Sequence, residues 1–429
     1  MKKALIICYY WPPAGGPGVQ RWLKFVSYLR DFEIEPIVYV PQNPSYPLLD
    51  ENLVTEIPEG ITILKHPIKE PYKFAAFFFK SKTRQISSGI ISKESPSVIE
   101  KLMLFIRGNL FVPDARVGWV APSVTFLKDY LLTHKVDCII TSGPPHSLHL
   151  IGLSLQKQTK LPWIADFRDP WTTIHYHKSL RLTRASALKH KKLESLVLNK
   201  ADHILVTSPS TKKECSLLTQ QPITLITNGF DPIKEVVASL DKKFSIAHIG
   251  SLLTERNPLI LWEVLSEIAL DNQDFASDLE ITLAGAVSHE VLASIALFGL
   301  TNNTTLKGYV SHSAAINLQH SAQILLLLEM DSPQTKAIIP GKLFEYLQAR
   351  RPIIALGPQG SDVKDILELT ASGYYITPTQ KDSLHKQILV YYRAYKNAAL
   401  SVPCGDISAF TRKSLTKKLA GVINSVVNT

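Results

Sequence analysis

The stretch from Ile339 to Leu356 contains a Pro340-Gly341 turn, then Lys342, Glu345, a run to Arg351, and Pro352 followed by Ile353-Ile354-Ala355-Leu356. The turn opens a short helix. Lys342 and Glu345 stand three apart in its first turn and so share a face. The helix stops before Pro352, and an apolar strand follows. A helix N-terminus with a lysine beside it suits a diphosphate. A carboxylate on the same face can accept both hydroxyls of a ribose diol. Together these residues describe a nucleotide-diphosphate pocket. The plainer reading of Glu345 is a carboxylate favoured by the helix dipole alone.

A glycine-rich turn stands near the start of the chain. Gly15, Gly16 and Gly18 follow an apolar strand, Ala4–Tyr9, and open a helix. Backbone without a Cβ can approach a phosphate or a sugar closely. A dinucleotide site would want G-x-G-x-x-G and an acid ending the second strand. The spacing here differs, and Val38-Tyr39-Val40-Pro41-Gln42 ends without an acid. That argues against a nicotinamide enzyme.

Two more segments fall at the C-terminal ends of strands, where open α/β sheets bind ligands. Ser142-Gly143-Pro144-Pro145-His146 is one, and Asp166-Phe167-Arg168-Asp169-Pro170-Trp171 is the other. His146 can hydrogen-bond a sugar or a developing charge. Asp169 can bind or deprotonate an acceptor hydroxyl. Alternatively, Arg168 and Asp169 form a structural ion pair. The chain has no Asp-x-Asp pair and no His/Cys cluster. No metal and no cofactor are expected beyond a nucleotide-sugar donor.

The surroundings must hold these groups in place. The chain has 429 residues, 45% hydrophobic and 20% charged, enough for two or three domains with packed cores. Short apolar strands alternate with helical stretches such as Val19–Arg30, which means parallel sheets covered on both faces. The alternation restarts after Asn228-Gly229-Phe230-Asp231. We expect residues 1–232 as a first Rossmann-like domain and 233–405 as a second, with 406–429 as a C-terminal helix. An insertion is expected near 66–120. There, Tyr72–Lys80 and Lys101–Arg107 are apolar and aromatic with basic flanks. They suit an interfacial membrane patch, an acceptor groove, or a helix packed on the domain.

The formal charge of +10 favours anionic partners, or simply a solvated basic surface. The stretch Pro170–Leu193 carries six Lys/Arg and no acid, which reads as a solvated face or an anionic-lipid contact. Dispersed basic residues without a recognition motif argue against nucleic acid. Cys8, Cys138, Cys215 and Cys404 form no metal-like spacing and no CxxC pair. No apolar run reaches the ~18–20 residues of a membrane span. A cytoplasmic protein is expected, with peripheral contact at the inner face of an anionic membrane.

The motif at Ile339–Leu356 resembles the donor-binding motif of glycosyltransferase family 4, which has the GT-B fold. Tyr9-Tyr10-Trp11-Pro12-Pro13-Ala14-Gly15-Gly16-Pro17-Gly18 resembles that family's first strand and glycine loop. His248-Ile249-Gly250-Ser251-Leu252-Leu253-Thr254-Glu255-Arg256-Asn257 resembles its first strand-to-helix turn in the second domain. The resemblance implies two doubly wound domains facing across a cleft, with the last helix crossing back to the first. It implies a donor site at Gly15, Gly16, Gly18, Gly250, Arg256, Gly341, Lys342 and Glu345. Arg256 and Lys342 would supply the cations, and His146 and Asp169 would complete the catalytic set. Glu345 matches the second glutamate of the family's Glu-x7-Glu motif, while Ala337 stands where the first would be.

The activity so implied is metal-independent, retaining hexosyl transfer from a UDP- or GDP-sugar. The acceptor would be a saccharide or lipid-linked hydroxyl in polysaccharide or glycolipid synthesis. The rivals are a nucleotide-sugar epimerase of the same fold and a non-catalytic nucleotide- or lipid-binding relic.

Overall fold

Apolar runs become the strands, the central ones buried on both faces, and the amphipathic segments between them become the covering helices. The computed structural model describes residues 1–70, 98–233, 238–403 and 405–428. It divides into two units, Met1–Thr227 with Arg412–Thr429, and Asn228–Thr411.

In the first unit the strands are β1 (Lys2–Ile7), β2 (Ile34–Pro41), β3 (Thr62–His66), β4 (Cys138–Gly143), β5 (Trp163–Phe167), β6 (His203–Val206) and β7 (Ile223–Leu225). They form one parallel sheet in the order β3-β2-β1-β4-β5-β6-β7. The Pro17–Leu29 helix buries Val19, Trp22, Leu23, Val26 and Leu29, the stripe its 3.6-residue period predicts. The Arg412–Val427 helix joins the same core through Leu415, Leu419, Ile423 and Val426. Arg412 donates to Gln20 Oε1 at 2.6 Å.

Asp166, in β5, is fully buried and ties this unit together. It accepts from Arg21 at 2.9 Å, from Trp22 Nε1 at 2.8 Å and from Ser142 Oγ at 2.8 Å. Burial opposes its ionisation. The Arg21 charge and these hydrogen bonds outweigh that and hold the carboxyl below its ordinary range. Arg21 also donates to the carbonyls of Ile226 and Thr227, where the chain leaves the unit.

The second unit has β8 (Phe244–Ile249), β9 (Leu279–Ala284), β10 (Thr304–Gly308), β11 (Ile324–Leu328), β12 (Ile353–Leu356) and β13 (Gly373–Ile376). They form a parallel sheet in the order β10-β9-β8-β11-β12-β13. Residues 228–233 and 406–411 pair with each other inside this unit. Phe230 N–H donates to Phe410 O at 3.1 Å, and Phe410 packs on Phe344. That pairing puts the divisions at Thr227 and Thr411, several residues from positions 232 and 405.

The Tyr72–Lys80 stretch lies outside the described residues. The rest of the expected insertion includes a helix, Val98–Leu110, and a short turn, Val117–Trp119. Among the described residues no helix is long and apolar enough to cross a membrane.

Candidate functional site

The predicted residues gather in two places, one in each unit. In the second unit, β8 ends at Ile249 and the chain turns at Gly250, whose φ is 126°. Gly285, after β9, has φ 125°, and a Cβ on it would lie 2.7 Å from the Gly250 carbonyl group. Both turns need glycine for conformation, and the second also for space. A Cβ on Gly250 would overlap the Lys342 ammonium.

Lys342 begins the Lys342–Ala349 helix. Tyr346, one turn on, fixes that helix to the sheet, its hydroxyl accepting from Ile249 N–H at 3.0 Å. Gly341 caps the helix in right-handed conformation (φ −57°, ψ −33°), so glycine is not needed there for backbone freedom. Lys342 Nζ is 3.4 Å from His248 Nε2, and His248 Nδ1 is 2.9 Å from Leu326 O. A carbonyl can only accept, so Nδ1 carries the proton and Nε2 presents its lone pair to the lysine. Burial, then the lysine's charge, pushes the His248 pKa down to about 3. Burial, then repulsion from Arg256, lowers that of Lys342 to about 8, with Glu345 opposing. A desolvated ammonium of this kind gains most when an anion arrives.

Glu345 accepts from Gln319 Nε2 at 2.9 Å, with His312 Nε2 at 3.3 Å from its other oxygen. Arg256 stands in an exposed 3₁₀ turn, Thr254–Arg256. It lines a cavity of about 430 Å³ that also takes in Asn257, Glu329, Asp331, Gly357 and Lys381.

Glu329 was not foreseen from the sequence. It follows β11, is 8% exposed, and accepts from Ser361 Oγ at 2.9 Å and Tyr375 OH at 2.8 Å. A Cβ on Gly357 would come within 2.6 Å of both Glu329 Oε2 and the Tyr375 hydroxyl. Burial pushes the Glu329 pKa up to about 7 against those two hydroxyls and Arg256. Its one sequence signal is an acid directly after Ile-Leu-Leu-Leu-Leu. Ala337, at the first motif position, is buried.

In the first unit Gly15, Gly16, Gly18, His146 and Asp169 line one cavity of about 420 Å³, with Arg168 in its wall. It lies beyond the C-terminal ends of β1, β4 and β5. Gly16 has φ 96°, and a Cβ on it would meet nothing within 4 Å. Its glycine is needed for conformation. At Gly18 a Cβ would overlap the Arg168 guanidinium, so there the need is space. Arg168 also donates to Pro144 O.

His146 starts the Ser147–Thr159 helix and stacks on Trp171, centroids 4.6 Å apart and planes within 5°. It is 7% exposed, and neither ring nitrogen has a hydrogen-bond partner among the described residues. Burial, followed by the neighbouring His149 and Arg168, holds its pKa well below the ordinary value. It is therefore a neutral ring, able to donate from one nitrogen and accept at the other.

Arg107, a basic flank of the stretch that suits an acceptor groove, lines the same cavity, and so do Asp114, Arg116, His177 and His190, which the sequence does not single out. Asp114 accepts from Ser147 N–H and Oγ at 2.9 and 2.8 Å and so caps the helix that His146 begins. A larger recess, about 1240 Å³, lies at the N-terminal ends of β5–β7 and holds none of the predicted residues. Among the described residues no three His, Cys, Asp or Glu side chains are grouped to hold a metal.

These geometries can be set beside known proteins. Residues 90–234 match the model of Glycosyltransferase Family 4. No curated protein matches the chain in sequence. A glycosyltransferase from Rickettsia africae ESF-5 superposes with a TM-score of 0.63 at 13% identity, covering 100% of this chain and 99% of that one. The lipopolysaccharide outer core galactosyltransferase WaaB gives 0.60 at 14% identity, covering 99% of each. A protein described as a UDP-N-acetylglucosamine 2-epimerase from Listeria monocytogenes gives 0.56 at 11% identity, covering 99% and 96%. At such identities the likeness is one of fold. The chain has the GT-B fold and resembles glycosyltransferase family 4.

Proposed function

We propose that this chain moves a sugar from a nucleotide-diphosphate sugar to a hydroxyl acceptor, retaining anomeric configuration and using no metal. The observation that carries the reading is the buried Lys342 ammonium against the Gly250 turn, with Arg256 close enough to depress its pKa. Two cations beside a backbone with no Cβ suit a diphosphate leaving group. Glu345, on the same helix face, would take the ribose hydroxyls.

In the first unit, neutral His146 would hydrogen-bond the donor sugar without adding charge. Asp169 would receive the acceptor hydroxyl. Gly15, Gly16 and Gly18 would let backbone approach the substrate. The acceptor is a saccharide or a lipid-linked hydroxyl of cell-surface polymer synthesis. The described cysteines are buried free thiols, compatible with a reducing, cytoplasmic setting.

The test is a thermal-shift series with UDP, GDP and their sugars, because a ligand that binds the folded state raises its melting temperature. A rise with a nucleotide diphosphate that Lys342→Ala abolishes is the expected result. No rise with any of them overturns the reading. The likeness to the Listeria protein favours a second reading, epimerisation. Interconversion of UDP-N-acetylglucosamine with no acceptor present would establish that instead.

A further inference from the structure

Among the described residues, the Val98–Leu110 helix packs by one face on the segment 180–183. Its Gly108 sits so close to the following segment that a Cβ would lie 2.6 Å from Leu180 O and 2.7 Å from Leu182 Cδ2. Asn109 completes the attachment, donating to Arg181 O at 3.2 Å and accepting from Thr183 N–H at 2.7 Å. Leu104 and Leu180 form a small buried cluster between the two, with Met103 and Leu182 against it.

The other face carries Leu102, Phe105, Ile106 and Leu110, at 57%, 42%, 37% and 72% exposure. Their spacings of three and four make one stripe. A continuous apolar stripe on a surface marks something that binds there. The same helix contributes Arg107 to the wall of the first unit's cavity. There Arg168 Nε and both ring nitrogens of His146 are buried without a partner among the described residues. Arg181, within the segment that anchors the helix, and Arg184, just after it, are both exposed. An apolar track thus leads to a recess whose wall holds Arg107, Arg116 and Arg168 beside Asp114 and Asp169, with buried hydrogen-bonding groups unmet among the described residues. A neutral saccharide could meet the hydrogen-bonding groups but would leave the apolar stripe unused.

We propose that the acceptor is an amphiphile, with its hydrocarbon chain along Leu102, Phe105, Ile106 and Leu110 and an anionic phosphate-class head group in the recess lined by Arg107, His146 and Arg168. This rests on the acceptor-side reading of that cavity.

The test uses the full chain and calorimetry with three probes: decyl phosphate below its micelle concentration, inorganic phosphate, and decyl maltoside. Decyl phosphate should bind at least about tenfold more tightly than either of the others, since it alone engages both surfaces. Phe105→Ser with Ile106→Ser should cost decyl phosphate about tenfold or more, as expected for lost apolar contact, and leave inorganic phosphate unchanged. Both residues are surface-exposed, and circular dichroism checks the fold. Arg107→Gln should weaken decyl phosphate and inorganic phosphate together and spare decyl maltoside.

Equal affinity for decyl phosphate and inorganic phosphate would overturn the proposal in favour of a free anion. Equal affinity for decyl phosphate and decyl maltoside would overturn the head-group assignment. A dimer in sedimentation that the Ser variant renders monomeric would give the stripe to a second copy of the chain. UDP and GDP titrations on the same samples keep the two readings apart. Their failure strikes the transferase reading, whereas failure of the decyl phosphate series alone strikes only this one.

Discussion

Lys342 occupies the space that a side chain on Gly250 would need. One residue ends a strand turn, and the other begins a helix 92 positions later in the same unit. The pair fixes where an anion can be received. Gly250→Ala should therefore displace the ammonium and strain a backbone held at φ 126°. We expect a loss of about 1–3 kcal/mol in stability and weaker UDP or GDP binding, read by urea unfolding and calorimetry. A variant with unchanged nucleotide affinity would remove Lys342 from the site.

The same lysine should trade stability for binding. Its folded pKa of about 8 lies below the ordinary lysine value of 10.5, with His248, Arg256 and Glu345 around it. The folded state then binds fewer protons than the unfolded one between those values, so stability rises with pH across that window. At pH 7 the buried ammonium costs stability. Lys342→Met should raise the melting temperature at pH 7, flatten the rise between pH 8 and 10.5, and weaken nucleotide-diphosphate binding by about 1.5–3 kcal/mol. A lower melting temperature would show that the ammonium is already well compensated.

Glu329 gives the opposite slope. Its folded pKa, about 7, lies above the ordinary glutamate value of 4.5. Its contribution is fully present below pH 4.5 and is lost as pH rises through 7. Glu329→Gln keeps both hydroxyl partners, Ser361 and Tyr375, within reach of a carbonyl or an amide. It should remove the fall in stability between pH 4.5 and 7. Melting curves at half-unit pH intervals would show an unchanged slope if the group titrates elsewhere.

Much of this was legible because it is local. The Lys342–Glu345 pair, the glycine turn at 15–18 and the buried strands β1, β4, β8 and β11 each announce themselves within a few residues. Strands β7 and β13 escaped. They are edge strands of three and four residues, only partly buried, so no apolar run marks them. Asp114, Arg116, His177 and His190 escaped because the first unit's tertiary fold alone brings them to one cavity. The segment from Asp166 to Trp171 was read correctly as a strand end. Its two acids part company there: Asp166 turns into the core against Arg21, while Asp169 lines the cavity.

That division predicts different failures. Asp166→Asn leaves Arg21 buried beside a neutral group, and breaking a buried pair costs about 3–5 kcal/mol. Denaturant midpoints should fall sharply. Asp169→Asn should lower the midpoint less than Asp166→Asn does, and lower kcat if the residue receives the acceptor hydroxyl. Equal loss of stability in both would make Asp169 a structural residue.

The glycine loop separates conformation from space in the same way. At Gly16 an added Cβ meets open room, but φ is 96°. Gly16→Ala should therefore act through backbone strain, lowering stability by about 1–2 kcal/mol. At Gly18 the Cβ falls on the Arg168 guanidinium, which must move. Arg168 is bonded to Pro144 O, in the segment that leads to His146, so its displacement reaches the recess itself. Gly18→Ala should lower kcat while leaving nucleotide-diphosphate affinity unchanged, because Lys342, Arg256 and Glu345 belong to the other unit. Steady-state kinetics beside UDP or GDP titration decides it. Normal turnover in a folded Gly18→Ala protein would take Arg168 out of the chemistry, and lost nucleotide affinity would place the glycine loop on the nucleotide instead.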